Sequence, residues 1–103
     1  MHYIIIGIDH PDTIDIRMQV RPKHLEYLHG EHARVKVRLA GPLLARDGKT
    51  MIGSMIVIEA SEDEAAARFA DSDPFRKAGL FAEVTIRHWK WTFGQSEAVA
   101  QEV

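Results

Sequence analysis

The chain of 103 residues contains 46% hydrophobic and 27% charged residues, the composition of a soluble globular protein and not of a disordered one. Its formal net charge is −2, with neither sign gathered into a long block, which argues against nucleic acid as the main partner. No apolar run approaches the roughly 20 residues of a membrane-spanning helix, and the lack of cysteine excludes disulfides and thiolate chemistry. Because a strand-like run follows Met1 directly, without a secretory signal pattern, we expect a cytoplasmic protein with no membrane contact.

The first predicted elements are a strand and a helix. Residues 3–9 form a strand that is apolar on both faces, the pattern of a central strand. A loop over residues 10–15 leads to a helix over residues 17–29. Pro22 is expected at or near the first effective turn of this helix, because proline lacks the amide that an interior turn requires, and Gly30 is expected to end it.

The middle of the chain predicts two strands joined by a long hairpin connection. Residues 34–40 alternate between apolar and basic side chains, with the apolar ones, including Leu39, pointing inward. Gly41 and Pro42 are expected to end this strand, and residues 52–59 form the next one.

The last third predicts two helical segments and a fourth strand. Ser61 begins a capping box, with a glutamate three residues later and an apolar stripe behind it. Asp73 and Pro74 predict a short helical turn, with the aspartate as its cap and Gly79 at its end. Residues 81–91 form the fourth strand.

The order strand, helix, strand, strand, helix, strand predicts an α+β fold of the ferredoxin-like βαββαβ type, with an antiparallel sheet covered by two helices on one face. The other face of the sheet is expected to be open and apolar. Such a patch usually binds a partner, so we expect a homodimer that packs sheet against sheet. Trp89, Trp91 and Phe93 are placed at its rim, and we divide the chain into a domain over residues 1–93 and a tail over residues 94–103.

His24 and Asp73, each near the first turn of a predicted helix, are the candidate acid/base pair. If the fold brings them together, the carboxylate would hold one ring nitrogen and leave the other free to move a proton. The alternative is that Asp73 only caps a helical turn while His24 packs under the sheet with its polar atoms satisfied. The residues by themselves favour this alternative.

Three further side chains are candidates for substrate binding. Arg17 and Arg21 are four residues apart, hence on one helical face, and their guanidinium groups could bind a carboxylate or phenolate. The alternative is ordinary solvated arginines paired with Asp15 or Glu26. Ser54 could complete a Ser-His-Asp set, but no sharp elbow motif surrounds it.

A metal site is not expected. His29 and His32 are three residues apart with Glu31 between them, and His10 with Asp9 could be added to them, but Gly30 breaks the helix so that the side chains of His29 and His32 need not converge. The chain also has no glycine-rich phosphate loop. We therefore expect neither a metal nor a cofactor.

Several short motifs follow one another along the chain in a characteristic order: Arg17, Arg21-Pro22, His24-Leu25-Glu26-Tyr27-Leu28, Ala40-Gly41-Pro42, Gly53-Ser54, Asp73-Pro74-Phe75 and Ala78-Gly79-Leu80. No single motif is specific, but their joint order and spacing from about Tyr3 to about Trp91 resemble the YciI-like proteins, small members of the dimeric α+β barrel superfamily. The resemblance implies a ferredoxin-like protomer, a dimer whose two sheets form a barrel, and a pocket that contains a histidine and an aspartate.

Carried over by position, these two residues are His24 and Asp73. Arg17, Arg21, Gly41 and Ser54 fall at or near other positions where such proteins agree, whereas residues 43–50 vary in them and could set the substrate preference. With the resemblance, the dyad is favoured over the purely structural alternative.

The expected function is that of a small-molecule enzyme that uses the dyad for cofactor-independent elimination, isomerisation or hydrolysis of a small anionic or phenolic substrate. The best defined activity among the YciI-like proteins is dehydrochlorination of a hydroxylated aromatic ring, but the family has no common reaction. Two alternatives stay open: a non-catalytic dimer that binds or senses a small molecule, and a subunit that acts through assembly alone.

Overall fold

The computed structural model describes residues 1–94, which form one four-stranded antiparallel sheet with order β2-β3-β1-β4. The strands are β1 His2–Asp9, β2 Val35–Leu44, β3 Met51–Ala60 and β4 Phe81–Trp89, and the helices are α1 Ile14–His29, α2 Asp63–Asp71 and α3 Pro74–Lys77. The prediction of an α+β fold with a ferredoxin-like protomer, the protomer type of the dimeric α+β barrels, is confirmed. The predicted tail, apart from Gly94, lies outside the described residues. Within residues 1–94, no helix is long and apolar enough to cross a membrane.

The hydrophobic core lies between one face of the sheet and the two long helices. Tyr3 and Ile5 of β1 belong to one buried cluster with Ile56 and Ile58, their neighbours on β3, and with Phe69 of α2. Two α1 side chains, Tyr27 and Leu28, pack against the same cluster. Both helices therefore cover the same face of the sheet, as predicted.

The opposite face of the sheet, called the open face below, carries none of the described helices; it is apolar along β1 and its β3 and β2 neighbours, whereas β4 contributes Glu83, Thr85 and Arg87 to it. Since successive side chains of a strand alternate between faces, Ile4, Ile6 and Ile8 lie on it. Ile4 pairs with Val57 of β3, which in turn pairs with Leu39 of β2. β1 is a central strand, as its two apolar faces predicted.

Strand β2 differs from the prediction in two respects. It continues through Gly41 and Pro42 to Leu44, whereas the predicted strand ended at Ala40. An edge strand has no neighbour along one side, so the missing amide of Pro42 is tolerated there. The register also shifts between Val37 and Leu39, which moves Leu39 from its predicted inward position to the open face.

Helix α1 begins at Ile14, three residues earlier than predicted, because the amide of Arg17 already donates to the carbonyl oxygen of Thr13 at 3.0 Å. Pro22 therefore lies inside the helix, and the prediction that it occupies the first turn is wrong. The helix loses one backbone hydrogen bond at this proline but continues beyond it. Gly30 follows the last helical residue, as predicted.

The later elements contain a second correction and a confirmation. Ser61 does not cap α2: the backbone is still extended at Glu62, which is the N-cap residue and makes no side-chain capping bond. The cap of α3 is Asp73, as predicted, and Gly79 follows in the left-handed region with a φ of 73°. Strand β4 ends at Trp89, two residues short of the predicted end.

Candidate functional site

The structure brings His24 of α1 into contact with Asp73, which precedes α3. Nδ1 of His24 lies 2.8 Å from Oδ1 of Asp73, and the two residues are only 5% and 2% exposed. Oδ1 of Asp73 also accepts the backbone N–H of Phe75 at 2.9 Å, because Asp73 is the N-cap of α3. One carboxylate thus caps the helix and holds the imidazole, so the two roles weighed as alternatives in the sequence coexist.

The contact with Asp73 determines which nitrogen of His24 is available. A carboxylate accepts hydrogen bonds and does not donate them, so Nδ1 is the nitrogen that carries the proton in this pair. Nε2 then has its lone pair free, and it makes no hydrogen bond to any residue in the described part of the chain. The arrangement can therefore act as a base at Nε2, with Nδ1–H held by the carboxylate.

Phe75 forms an aromatic wall beside the imidazole. Its ring is fully buried and stacks on the ring of His24, with 4.0 Å between the ring centroids and an interplanar angle of 19°. The guanidinium carbon of Arg17 lies 4.5 Å from the centroid of the same ring, and Phe81 packs against it edge-on at 6.0 Å. This role of Phe75 was not predicted from the sequence, although its position two residues after the cap was the available signal.

Arg17 lies on α1 two turns before His24 and is 1% exposed. Its Nε and Nη2 donate to the two carboxylate oxygens of Asp9 at 2.7 and 2.9 Å, and Nη2 also donates to Oγ of Ser54 at 2.9 Å. A buried guanidinium needs such partners because transfer out of water is costly for a charge. Asp9, the last residue of β1, was not predicted to pair with Arg17, although its carboxylate at the end of a central strand was the signal.

The remaining candidates are placed as follows. Ser54 is 4% exposed and accepts a hydrogen bond from Arg17, not from His24, so residues 1–94 contain no Ser-His-Asp triad. Arg21 is half-buried on α1, three residues before His24 and therefore on the same side of the helix. It makes no hydrogen bond or ion pair to another described residue, which leaves its guanidinium donors available.

The two histidines considered for a metal do not converge. Nε2 of His32 lies 2.6 Å from the carbonyl oxygen of Tyr27, whereas His29 is exposed at the end of α1. Across residues 1–94, no cluster of three or more potential metal-binding side chains is found.

The dyad is a buried contact, and neither of its residues lines either of two clefts within residues 1–94. A cleft of about 630 Å³ lies at the far end of β4 and is lined by Met1, His2 and the residues 88–91. A smaller one, of about 250 Å³, lies at the Asp9 end of the site beside Ile14 and Ile52. The candidacy of the dyad therefore rests on its contacts and its chemistry.

Comparisons with known proteins identify the family of the chain. Residues 1–90 match the family model of the YCII-related domain. Protein YciI from Escherichia coli O6:H1 is 34% identical over 98 residues, which cover 90% of this chain and 100% of that protein.

Two solved structures share the fold. One is 5-chloro-2-hydroxyhydroquinone dehydrochlorinase (TftG) from Burkholderia phenoliruptrix AC1100 in complex with 2,5-dihydroxybenzoquinone, with a TM-score of 0.75 and 33% identity over 87% of this chain and 94% of that chain. The other is SnoaB, a cofactor-independent oxygenase from Streptomyces nogalater, with a TM-score of 0.53 and 12% identity over 91% of this chain and 96% of that one. At that identity the second likeness concerns the fold alone. The chain belongs to the family of YCII-related domain proteins.

Proposed function

We propose that this protein is a small-molecule enzyme in which His24 and Asp73 form an acid/base dyad that acts without a cofactor on a small anionic or phenolic substrate. The observation that carries the proposal is the buried contact of 2.8 Å between Nδ1 of His24 and the carboxylate, which leaves Nε2 as the base. The reaction is an elimination, an isomerisation or a hydrolysis.

An elimination on a hydroxylated ring uses this geometry directly. Nε2 of His24 takes a proton from one ring hydroxyl and returns it to the ring carbon that carries the leaving group, which turns that hydroxyl into a ketone. Nε2 then takes the proton of a second ring hydroxyl, whose electron pair forms the second carbonyl through the ring and expels the leaving group as an anion. The imidazolium formed in this step is stabilised by the carboxylate of Asp73. Arg21, whose donors are available one turn away, binds a phenolate or carboxylate oxygen of the substrate.

The similarity to the dehydrochlorinase favours elimination over isomerisation and hydrolysis. That enzyme is 33% identical to this chain, and the match covers 87% of this chain. The name of the enzyme describes the removal of hydrogen and chlorine from a chlorinated hydroxyhydroquinone. Such a reaction needs a base for the proton and an exit for chloride, and it needs no redox partner.

We further propose that the chain forms a cytoplasmic homodimer through the open face of its sheet. On this face Leu39 is 46% exposed and Ile8 is 37% exposed, next to the half-buried Ile4 and Ile6. Contiguous apolar surface of this kind is typical of an interface. Packing two such faces together by a two-fold axis gives the barrel of the dimeric α+β class.

A second candidate function is a dimer that binds a small molecule without converting it. The observation in its favour is the enclosure of His24, which is only 5% exposed and reaches a substrate only when the surrounding side chains open.

The deciding experiment uses 5-chloro-2-hydroxyhydroquinone as the probe substrate and chloride release as the signal. We expect turnover by the wild type and a loss of about 100-fold or more in kcat for His24→Ala, the usual contribution of a positioned base. His29→Ala is the matched control, because His29 is an exposed histidine at the end of the same helix. It should retain wild-type turnover.

Two results would contradict the dyad. The first is wild-type chloride release by His24→Ala. The second is tight binding of 2,5-dihydroxybenzoquinone by the wild type without chloride release from the probe and with the same Kd in His24→Ala. This second result would establish the binding dimer instead.

A further inference from the structure

We infer that Arg17 is a positioning residue: anchored by Asp9 and Ser54, it fixes the ring of Phe75, which in turn fixes the plane of the His24 imidazole. The inference rests on the proposed function, because the plane of the imidazole matters to chemistry only if Nε2 moves a proton. It also assigns Arg17 a role different from the substrate binding expected from the sequence.

A single hydrogen bond does not fix the orientation of His24. The contact between Nδ1 and Asp73 holds one ring atom, and the ring can still tilt about that bond. The lone pair of Nε2 lies in the ring plane, so its direction, on which proton transfer depends, follows the tilt. The face of Phe75, at 4.0 Å and nearly parallel to the imidazole, supplies the second constraint.

Phe75 needs constraints of its own to serve as this wall. Its backbone N–H is held by Asp73, and the edge-on ring of Phe81 limits it on one side. The guanidinium group of Arg17 lies over its face, with the central carbon 4.5 Å from the ring centroid. A cation over an aromatic face is attracted by the electron density of the ring, and the attraction is stronger when water is excluded.

The guanidinium group of Arg17 is fixed relative to the sheet. Its side chain is 2% exposed, and two of its nitrogens donate three hydrogen bonds, two to Asp9 and one to Ser54. Asp9 ends β1 and Ser54 belongs to the adjacent strand β3. Contacts therefore run without a gap from the two central strands through Arg17 and Phe75 to His24.

Proton NMR of the His24 ring tests the inference without a substrate. The ring current of Phe75 shifts the proton resonances of the His24 ring. These resonances are assigned as the ones that are missing from the His24→Ala spectrum. The Phe75→Leu spectrum gives their positions without the ring current. Arg17→Lys keeps a cation for Asp9 but removes the flat guanidinium, and it should move the resonances part of the way to the Phe75→Leu values. Arg34→Lys, at an exposed arginine, is the control and should leave them unchanged.

A second variant covers the case in which Arg17→Lys does not fold. Replacing Asp9 by Asn and Arg17 by Met together removes both charges, so that neither is left buried without its counterion. The same displacement of the His24 resonances is expected. Wild-type resonances in either folded variant, while Phe75→Leu moves them, would overturn the inference. Loss of the fold in both variants would make Arg17 a residue of stability only and would overturn it as well.

Kinetics separate this inference from the proposed function. Arg17→Lys should lower kcat by about tenfold to hundredfold, the effect of a misplaced catalytic group, and leave KM unchanged because Arg17 does not contact the substrate. A raised KM with unchanged kcat would overturn the positioning role and indicate that Arg17 binds the substrate. Wild-type turnover in His24→Ala would overturn the dyad alone, and the NMR result would then still decide whether Arg17 orients the ring.

Discussion

The ring of Phe81 lies so close to the backbone of Gly7 that a Cβ atom on Gly7 would come within 2.7 Å of two ring carbons. Atoms that are not bonded do not approach so closely, so a side chain at this position would displace the ring. Phe81 packs edge-on against Phe75, the wall of the candidate site. Because Gly7 has no side chain, Phe81 can take up this position and support the ring of Phe75.

We expect Gly7→Ala to lower the free energy of unfolding by about 1–3 kcal/mol, the usual cost of overpacking a buried site. Urea denaturation measures it. Gly41→Ala is the matched control, since a Cβ atom there meets nothing within 4 Å, and it should change stability by less than about 0.5 kcal/mol. Adding Phe81→Leu to Gly7→Ala should recover part of the loss. Equal costs for the two alanine variants would contradict the prediction.

The two roles of Asp73 can be separated by two substitutions. Asp73→Asn keeps an oxygen for the backbone N–H of Phe75 but removes the negative charge that faces His24. It should lower kcat by about 100-fold or more while changing the free energy of unfolding by about 1 kcal/mol.

Asp73→Ala removes the helix cap as well and should cost about 1–3 kcal/mol beyond the asparagine variant. Urea denaturation of both variants, together with turnover of the probe substrate, provides the measurement. If asparagine destabilises the protein as much as alanine does, the carboxylate is structural and not catalytic.

Both tyrosines of the chain are held in the protonated form. Burial, the hydrogen bond of 2.6 Å to Asp63 and the negative charge of that carboxylate together raise the pKa of Tyr3 to about 12, with burial as the largest cause. Burial, followed by the negative charge of Asp73, also raises the pKa of Tyr27 to about 12, against an opposing hydrogen bond with Ser72.

The folded state consequently keeps two protons that the unfolded chain releases around pH 10.0. This stabilisation is complete below pH 10.0 and is lost as the pH rises to about 12. We expect the free energy of unfolding to fall over this interval, with a smaller slope in Tyr3→Phe. Tyrosinate absorbance with a midpoint near pH 10.0 in a protein that retains native circular dichroism would contradict this prediction.

The proposed homodimer predicts different effects for two exposed apolar residues on opposite sides of the sheet. Leu39→Glu places a charge on the open face and should give monomers at micromolar concentration. Met18→Glu, at a residue of α1 that is 51% exposed, should leave the dimer intact. Light scattering or sedimentation measures both. A monomeric wild type, or equal dissociation of the two variants, would exclude the sheet-to-sheet dimer.

The order of the elements could be predicted from the sequence because its signals are local. The run of β1 that is apolar on both faces and the Asp73-Pro74 start of α3 depend on neighbouring residues alone, and the structure contains both. The errors arose where tertiary context overrides a local rule. Pro42 is tolerated because β2 lies at the sheet edge, whereas Pro22 lies inside α1, which continues past it with the loss of one backbone hydrogen bond.

The candidate site was only partly visible in the sequence. His24 and Asp73 could be named from their motifs, but their contact spans 49 residues and depends on how α3 packs on α1. The counterion of Arg17 was sought in Asp15 and Glu26, which lie on the same helix. The actual counterion is Asp9, which a loop brings to the start of α1 from the end of a strand. No spacing rule connects these two residues.

Helix α3 consists of only four residues, yet its first turn supplies both groups that hold the imidazole of His24. A helix of this length has little stability of its own and depends on its packing. Opening of this one turn would therefore withdraw the carboxylate of Asp73 and the ring of Phe75 in a single event. The amide proton of Phe75 exchanges with water only during such openings, since it is otherwise bonded to that carboxylate. Its exchange rate therefore measures how often His24 loses its hydrogen bond to Asp73. That frequency depends on the free energy of opening α3 locally and not on the stability of the whole domain.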